Sequence, residues 1–490
     1  MHPDDSPLAI FVWGFLLANF HAVGFTIHRF HNTIDSPGIS RRIGMHQLPL
    51  VKGFKWWHLY QWTTQPLAFL ERWHRTYGDC FGVEIGSYRH MVFLSHPSAI
   101  AELFTANPDQ FEVGRGNRIL RPVMGDNSVL LLDGAAHARQ RKLLMPPFHG
   151  DCMKAYSETI CQITEHVSQS WQKDVTWTAL PQMQAISLRV ILKTVFGLDD
   201  GERFTQLKQK LSEFLEFTGF PFFFLVIALP SLQRSIGIRQ VWQRFGEMLH
   251  QIDQLLYAEI RDRRDSFDPN RTDILSLLLS ARDEAGAPMS DVELRDELIT
   301  LLIAGHETTA IALSWALYWI HTVPGVKEKL QMDLRSLGSN ANPAAIAQLP
   351  YLNAVCSETL RIYPVVQFAG PRIARKRMTI AGYNIAPETH LAASIYLVHR
   401  RPDLYPDPEQ FKPERFLERQ FSPYEFFPFG GGNRRCIGAA FAMYEMKLVL
   451  ATLMQRYEFE VRERRAVVPI RRGVTFAPKG GVQIAVTQEL

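Results

Sequence analysis

The sequence predicts a mainly α-helical fold with small β-sheets (α+β), built as one large domain, and three observations lead there. Helical periodicity dominates from about residue 96 to 360. Short β-like runs bounded by turn residues fall before it, at 81–94, and after Pro364. The 490 residues contain no Ser/Gly-rich tract, low-complexity run, long like-charge block or internal repeat that would mark a linker or a solenoid. Length alone would suggest about three domains. Without a linker, one domain over 46–490 fits better, preceded by an apolar extension at 1–45.

Composition narrows the function classes. The 53 basic and 49 acidic residues are well mixed and leave a net charge of +4, which gives no case for nucleic acid as a partner. The cysteines at 80, 152, 161, 356 and 436 are odd in number and scattered, with no C-x-x-C. A disulfide framework or zinc site is not expected, and a reducing cytosol is the default compartment.

The elements follow in chain order. Residues 8–27 are uncharged and mostly apolar; twenty helical residues span roughly 30 Å, enough for a bilayer core. Arg29, Arg41 and Arg42 follow and would keep the body in the cytoplasm, while Asn19, His21, Gly14 and Gly24 interrupt the segment. Two readings stay open: a membrane anchor or membrane-associated helix, and an extension upstream of a true start at Met45. Residues 81–94 alternate around Gly86-Ser87 as a β-hairpin. Ser290 and Glu293 form an S-x-x-E capping box opening a helix that stops at Pro324-Gly325. Its roughly 34 residues would be about 50 Å long, and a helix apolar over most of its surface lies in the core. Tyr351 to Ile362 reads as a helix ended by Tyr363-Pro364, Met378 to Ile385 as short β-structure, and Ile437 to about Tyr457 as the last helix.

Just before that last helix stands Phe429-Gly-Gly-Gly-Asn-Arg-Arg-Cys436-Ile-Gly438. A thiolate at Cys436 would be shielded, flanked by positive charge and placed at a helix N-terminus, all of which favour the anion, as an axial ligand to haem iron requires. The alternative is a small buried hydrophobe.

Phe429, Gly432, Arg434, Cys436 and Gly438 fill the pattern F-x-x-G-x-R-x-C-x-G, which resembles the haem-binding loop of the cytochrome P-450 family, and the chain looks like a bacterial member. The loop glycines would permit close backbone approach to a flat ligand, amides after Cys436 could hydrogen-bond its sulfur, and Arg434 offers a fork suited to a haem propionate. Ala304-Gly-His-Glu-Thr-Thr309 resembles the family's oxygen-activation segment. Gly305 would let a cofactor face come close, and Thr308 could donate to the Ala304 carbonyl and loosen the helix. Glu307 and Thr308 would be the acid–alcohol pair that delivers protons to bound O2; an acid inside so apolar a helix is itself unusual. Glu358-Thr-Leu-Arg361 matches the family's E-x-x-R, as Glu112-Val-Gly-Arg115 also does, and the first is chosen for its helix and its place before Cys436. Arg415 would complete a structural Glu–Arg–Arg network, since buried charges persist only when paired. His137 and Arg141 share a helical face and resemble the pair that holds haem propionates, with Arg372 a third contact. Arg139, Lys142, Arg435 and Lys447 read either as a docking face for an acidic electron carrier or as solvated surface. The aromatic stretch 214–230 reads as a substrate entrance, a membrane contact or plain core.

These motifs stand in family order over residues 46–490. The resemblance implies haem b (iron protoporphyrin IX) between the long central helix and the cysteine loop. The implied reaction inserts one oxygen atom from O2 into an apolar small molecule, a fatty acid, terpenoid or similar lipid. No G-x-G-x-x-G module is present, so electrons would come from a separate ferredoxin and its reductase. The expected place is the cytoplasm, with attachment to the cytoplasmic membrane face if residues 8–27 anchor it. Two alternatives remain: a haem-thiolate isomerase or peroxygenase, against which the intact Glu307–Thr308 pair argues, and a haem-based gas-binding protein. The latter would want an output domain or a second ligand, and His306 could ligate only if the helix were rotated.

Overall fold

The computed structural model describes residues 47–490 apart from 87, 149, 199, 220–226, 228–235 and 339–341. The segment 8–27, the alternative start at Met45 and most of the 214–230 stretch lie outside the described residues. The helices that position the site are α1 (Lys55–Thr64), α2 (Gly134–Leu144), α3 (Ser157–Ser168), α4 (Ala179–Phe196), α5 (Gly201–Thr218), α6 (Ile236–Asp265), α7 (Asp291–Thr322), α8 (Pro350–Ile362) and α9 (Ala439–Arg456).

Helix α7 is the spine. Ser290 Oγ accepts from the Glu293 amide at 3.3 Å and Glu293 accepts from the Ser290 amide at 2.8 Å, so both halves of the capping box form. The helix ends as the backbone turns extended at Val323 before Pro324. It is the one helix among the described residues long and apolar enough to cross a membrane, and it instead runs through the core, with Leu298, Ile311 and Trp315 fully covered. It packs closely along α4: Gly305 meets Ile191 of α4, whose Cδ1 would lie 2.9 Å from an added Cβ. Its first turns also bury charge. Asp296 accepts from the Asn127 amide at 2.9 Å, and Glu297 accepts from the Val129 amide at 2.7 Å. An acid inside this helix is therefore no special mark of Glu307, because backbone amides of 127–129 already compensate two others.

The strands form four small sheets. β1 (Cys80–Ile85) and β2 (Tyr88–Leu94) make the expected hairpin, with Gly86 at φ +57°. β3 (Phe111–Glu112), β5 (Arg372–Ala374) and β8 (His390–Ala393) extend it in the order β1-β2-β8-β5-β3. β4 (Thr176–Thr178), β12 (Gln483–Glu489) and β9 (Tyr457–Val461) form a second sheet. β6 (Met378–Ile380) and β7 (Tyr383–Ile385) turn through Ala381 and Gly382, both at positive φ. The last hairpin, β10 (Pro469–Arg472) and β11 (Thr475–Pro478), is held against the core by the Phe476 amide donating to the Val365 carbonyl and Trp315 Nε1 donating to the Phe476 carbonyl.

Of the 214–230 stretch, Phe214 and Leu215 of α5 are core residues. The E-x-x-R choice is decided by burial. Glu358 and Arg361 are wholly buried, with Arg361 Nε and Nη2 donating to the two carboxylate oxygens at 2.6 and 2.8 Å. Arg415 Nε and the Lys412 amide also donate to Glu358, at 3.1 and 2.8 Å. The remaining guanidinium donors of Arg361 reach the carbonyls of His399, Pro408 and Gln410. Glu112 and Arg115 also pair, at 2.8 Å, on the partly open surface.

Candidate active site

The cysteine loop is shaped first by its glycines. Gly430 and Gly432 take φ +67° and +65°, and the backbone passes so close to Phe104 that a Cβ on Gly431 would lie 2.2 Å from its ring. Gly430 and Gly432 thus take the positive φ that glycine permits, and Gly431 and Gly432 pack tightly on Phe104. Only Gly438 has open space where a side chain would stand. Helix α9 begins at Ala439, so Cys436 stands three residues before it, its amide donating to the Phe429 carbonyl at 2.9 Å.

Cys436 differs from the other cysteines. Cys80 and Cys356 are buried, and burial pushes both thiols up to about 12. Cys436 is enclosed deeply enough that burial raises its thiol too, yet the residue keeps surface uncovered. The Gly438 amide, Arg141 and Arg435 all favour the anion there. They do not outweigh burial, so loop charge alone does not make the thiolate that the sequence suggests. A coordinated metal ion deprotonates a thiol outright, and a sulfur with an amide donor and two nearby cations is a suitable ligand.

His137 and Arg141 of α2, Arg372 of β5 and Arg434 of the loop converge on one cleft of about 580 Å³. The acids on its wall are Asp109 and Asp133. Asp133 already accepts from the Val113 and Gly114 amides and from Arg434 Nη2 at 2.8 Å. Arg434 also donates to the Val129 and Leu132 carbonyls, and Arg372 to those of Leu103 and Gly431. Both forks are thus partly engaged by backbone, while buried Arg434 Nε has no partner among the described residues. Burial and mutual repulsion pull Arg372 and Arg434 down to about 10 and the His137 imidazole to about 4. A buried cationic group with too little counter-charge fits a flat cofactor that carries two carboxylates.

On α7, Thr308 Oγ1 donates to the Ala304 carbonyl at 2.5 Å, as the sequence suggests, although the helix stays α-helical throughout. The uncovered residue is Ala304, not Gly305, which faces α4. Between Glu293 and His321 Ala304 is the one exposed residue of the helix, beside partly covered Leu301 and Thr308. His306 points the other way, its Nε2 3.1 Å from the Gln184 carbonyl. Glu307 does not pair with Thr308; it accepts from Arg472 Nε of β10 at 2.6 Å. Burial raises the Glu307 carboxyl above its usual range, with Arg472 opposing. Sequence reasoning missed Arg472, which lies far along the chain and matches no motif.

The basic docking face is partly spent. Arg139 pairs with Asp283 and Glu293, Lys142 with Glu284, and Lys447 donates to the Ala347 carbonyl. Arg435 is exposed.

The cytochrome P450 family model matches residues 47–484. The chain is 39% identical over 425 residues to "Putative cytochrome P450 135B1" of Mycobacterium tuberculosis, covering 86% of this chain and 87% of that protein. It is 33% identical over 440 residues to "Putative cytochrome P450 138" of the same species, covering 89% and 95%. Among solved structures, a retinoic acid-bound cyanobacterial CYP120A1 superposes with TM-score 0.77 at 24% identity, covering 91% of this chain and 100% of that one. A cytochrome P450DA heme domain superposes with TM-score 0.80 at 22% identity, covering 91% and 98%.

Proposed function

The chain belongs to the cytochrome P450 family and is a haem-thiolate monooxygenase, and on that premise we propose which of its residues act and on what class of molecule. When bound, haem b would supply O2 binding and reductive O–O cleavage. Cys436 would provide its thiolate ligand, with the Gly438 amide donating to the sulfur and moderating its electron release. Arg372, Arg434, Arg141 and His137 would hold its propionates, which would relieve the mutual repulsion of the cationic cleft.

Thr308 and Glu307 manage the protons. The Thr308 hydroxyl is fixed by its bond to the Ala304 carbonyl, which leaves its lone pairs for a donor or a water on the open side of α7. Glu307, held by Arg472 and raised by burial, can take up a proton and release it. Ala304 and Leu301 give the site an apolar wall beside these groups, which supports an apolar substrate such as a fatty acid, terpenoid or similar lipid. Electrons come from a separate ferredoxin and its reductase in the cytoplasm, docking near exposed Arg435.

The observation that carries this reading is exposed Cys436 close to Arg141, which lines a cationic cleft with Asp109 and Asp133 as the acids on its wall. The test is turnover of an apolar panel under isotopically heavy O2 with a surrogate ferredoxin and reductase. The expected product carries one heavy oxygen atom; turnover supported by peroxide but not by reductant and O2 would contradict it.

A further inference from the structure

Arg471 and Arg472 are adjacent on β10, and alternation along a strand sends their side chains to opposite faces. Arg472 meets Glu307. Arg471 meets no carboxylate: among the described residues nothing accepts from its Nε, which is buried. Its guanidinium carbon lies 5.0 Å from the Trp62 ring centre of α1 and 5.7 Å from that of Phe476. Trp62 in turn lies 5.8 Å from Phe368. Arg471, Trp62 and Phe368 each keep part of their surface uncovered, beside the strand residue that touches Glu307. Burial alone, with no neighbouring charge, pulls the Arg471 guanidinium down to about 10.

Aromatic faces partly offset the desolvation of a cation but do not replace a counter-ion. A purely structural arginine at this depth would be expected to carry a carboxylate or backbone carbonyls, as Arg361 and Arg415 do. We propose that Arg471 is a specificity-determining residue that pairs with a carboxylate on the substrate, so that the substrate is an apolar molecule with an anionic end. This rests on the apolar-lipid reading above and sharpens it.

The experiment uses the haem-loaded full chain and four probes: dodecanoic acid, abietic acid and the methyl ester of each. Affinities are read by calorimetry and independently by the haem absorbance change on binding. A charge-assisted pair predicts that wild type binds an acid about tenfold or more tighter than its ester. R471Q should bring that ratio to about one with the ester affinity little changed, and R471K should keep part of the preference. Whichever acid shows the effect identifies the hydrocarbon skeleton that fits. Equal binding of acids and esters by wild type, or an unchanged ratio in R471Q, overturns the pairing while the lipid reading stands. If none of the four binds, the lipid reading falls and the pairing falls with it. Should R471Q not retain haem, the acid-to-ester ratios of wild type and R471K decide the matter.

Discussion

Replacing Glu358 by Gln changes one oxygen to an amide in a wholly buried site and removes the only carboxylate that Arg361 and Arg415 share. Four donors converge on that carboxylate at 2.6 to 3.1 Å. After the change, an amide NH2 must face at least one of those donors, and two guanidiniums remain buried without a counter-ion. Breaking a buried pair from one side costs about 3–5 kcal/mol, against total stabilities of about 5–15 kcal/mol. Glu112→Gln is the internal control: it breaks a pair of the same i, i+3 spacing, at 2.8 Å, on the partly open surface, where such pairs contribute less than about 1 kcal/mol. Urea unfolding of both variants, with haem content measured in parallel, separates the two. The expected result is a large loss of stability and haem for Glu358→Gln and almost none for Glu112→Gln. Similar small losses in both would refute the view that this network locks the haem-side core.

Other outcomes follow from the same geometry. Glu445 of α9 is buried with one oxygen unpartnered, and burial raises its carboxyl to about 8. Its folded value lies above the unfolded one near 4.5, so the folded state binds the extra proton and stability falls as pH rises from about 4.5 to 8. Glu445→Gln should therefore be more stable than wild type at pH 8, by ~4 kcal/mol at most in order of magnitude, and equal to it near pH 4; thermal unfolding across pH checks this, and a destabilised variant at pH 8 would count against it. Glu307→Gln should lower product formation by about 10²-fold or more while O2 uptake falls less, read from product formed per reductant consumed; proportional losses of both would speak against a proton-delivery role. Arg372→Ala should release haem to an acceptor protein about tenfold faster or more, from the loss of a charge-assisted bond, and an unchanged rate would remove Arg372 from the propionate set.

Much of the frame was legible in the sequence because it depends on local chemistry. The Ser290–Glu293 box and the stop at Pro324 place α7 to within two residues of its observed ends. The i, i+4 spacing of His137 and Arg141 puts both on one cleft wall. What was not legible depends on which helix packs where. Gly305 was read as the cofactor-facing position, but α4 occupies that side and Ala304 is the open one. The loop glycines do take the positive φ expected of them, but the packing of Gly431 and Gly432 on Phe104 was not legible. The resemblance gave Glu307 and Thr308 a shared role but not the partner of Glu307: Arg472 arrives from the last hairpin, a contact no spacing rule reveals. Arg139 and Lys142 looked available for docking until Asp283, Glu284 and Glu293 folded onto them.

The central claim is that Cys436 is the iron ligand, and substituting that sulfur tests it most directly. Cys436→His in the haem-loaded chain, reduced and exposed to carbon monoxide, should lose the thiolate-type absorbance of wild type and give an imidazole-type spectrum, with monooxygenase turnover abolished. Retention of the wild-type spectrum by Cys436→His would contradict the assignment.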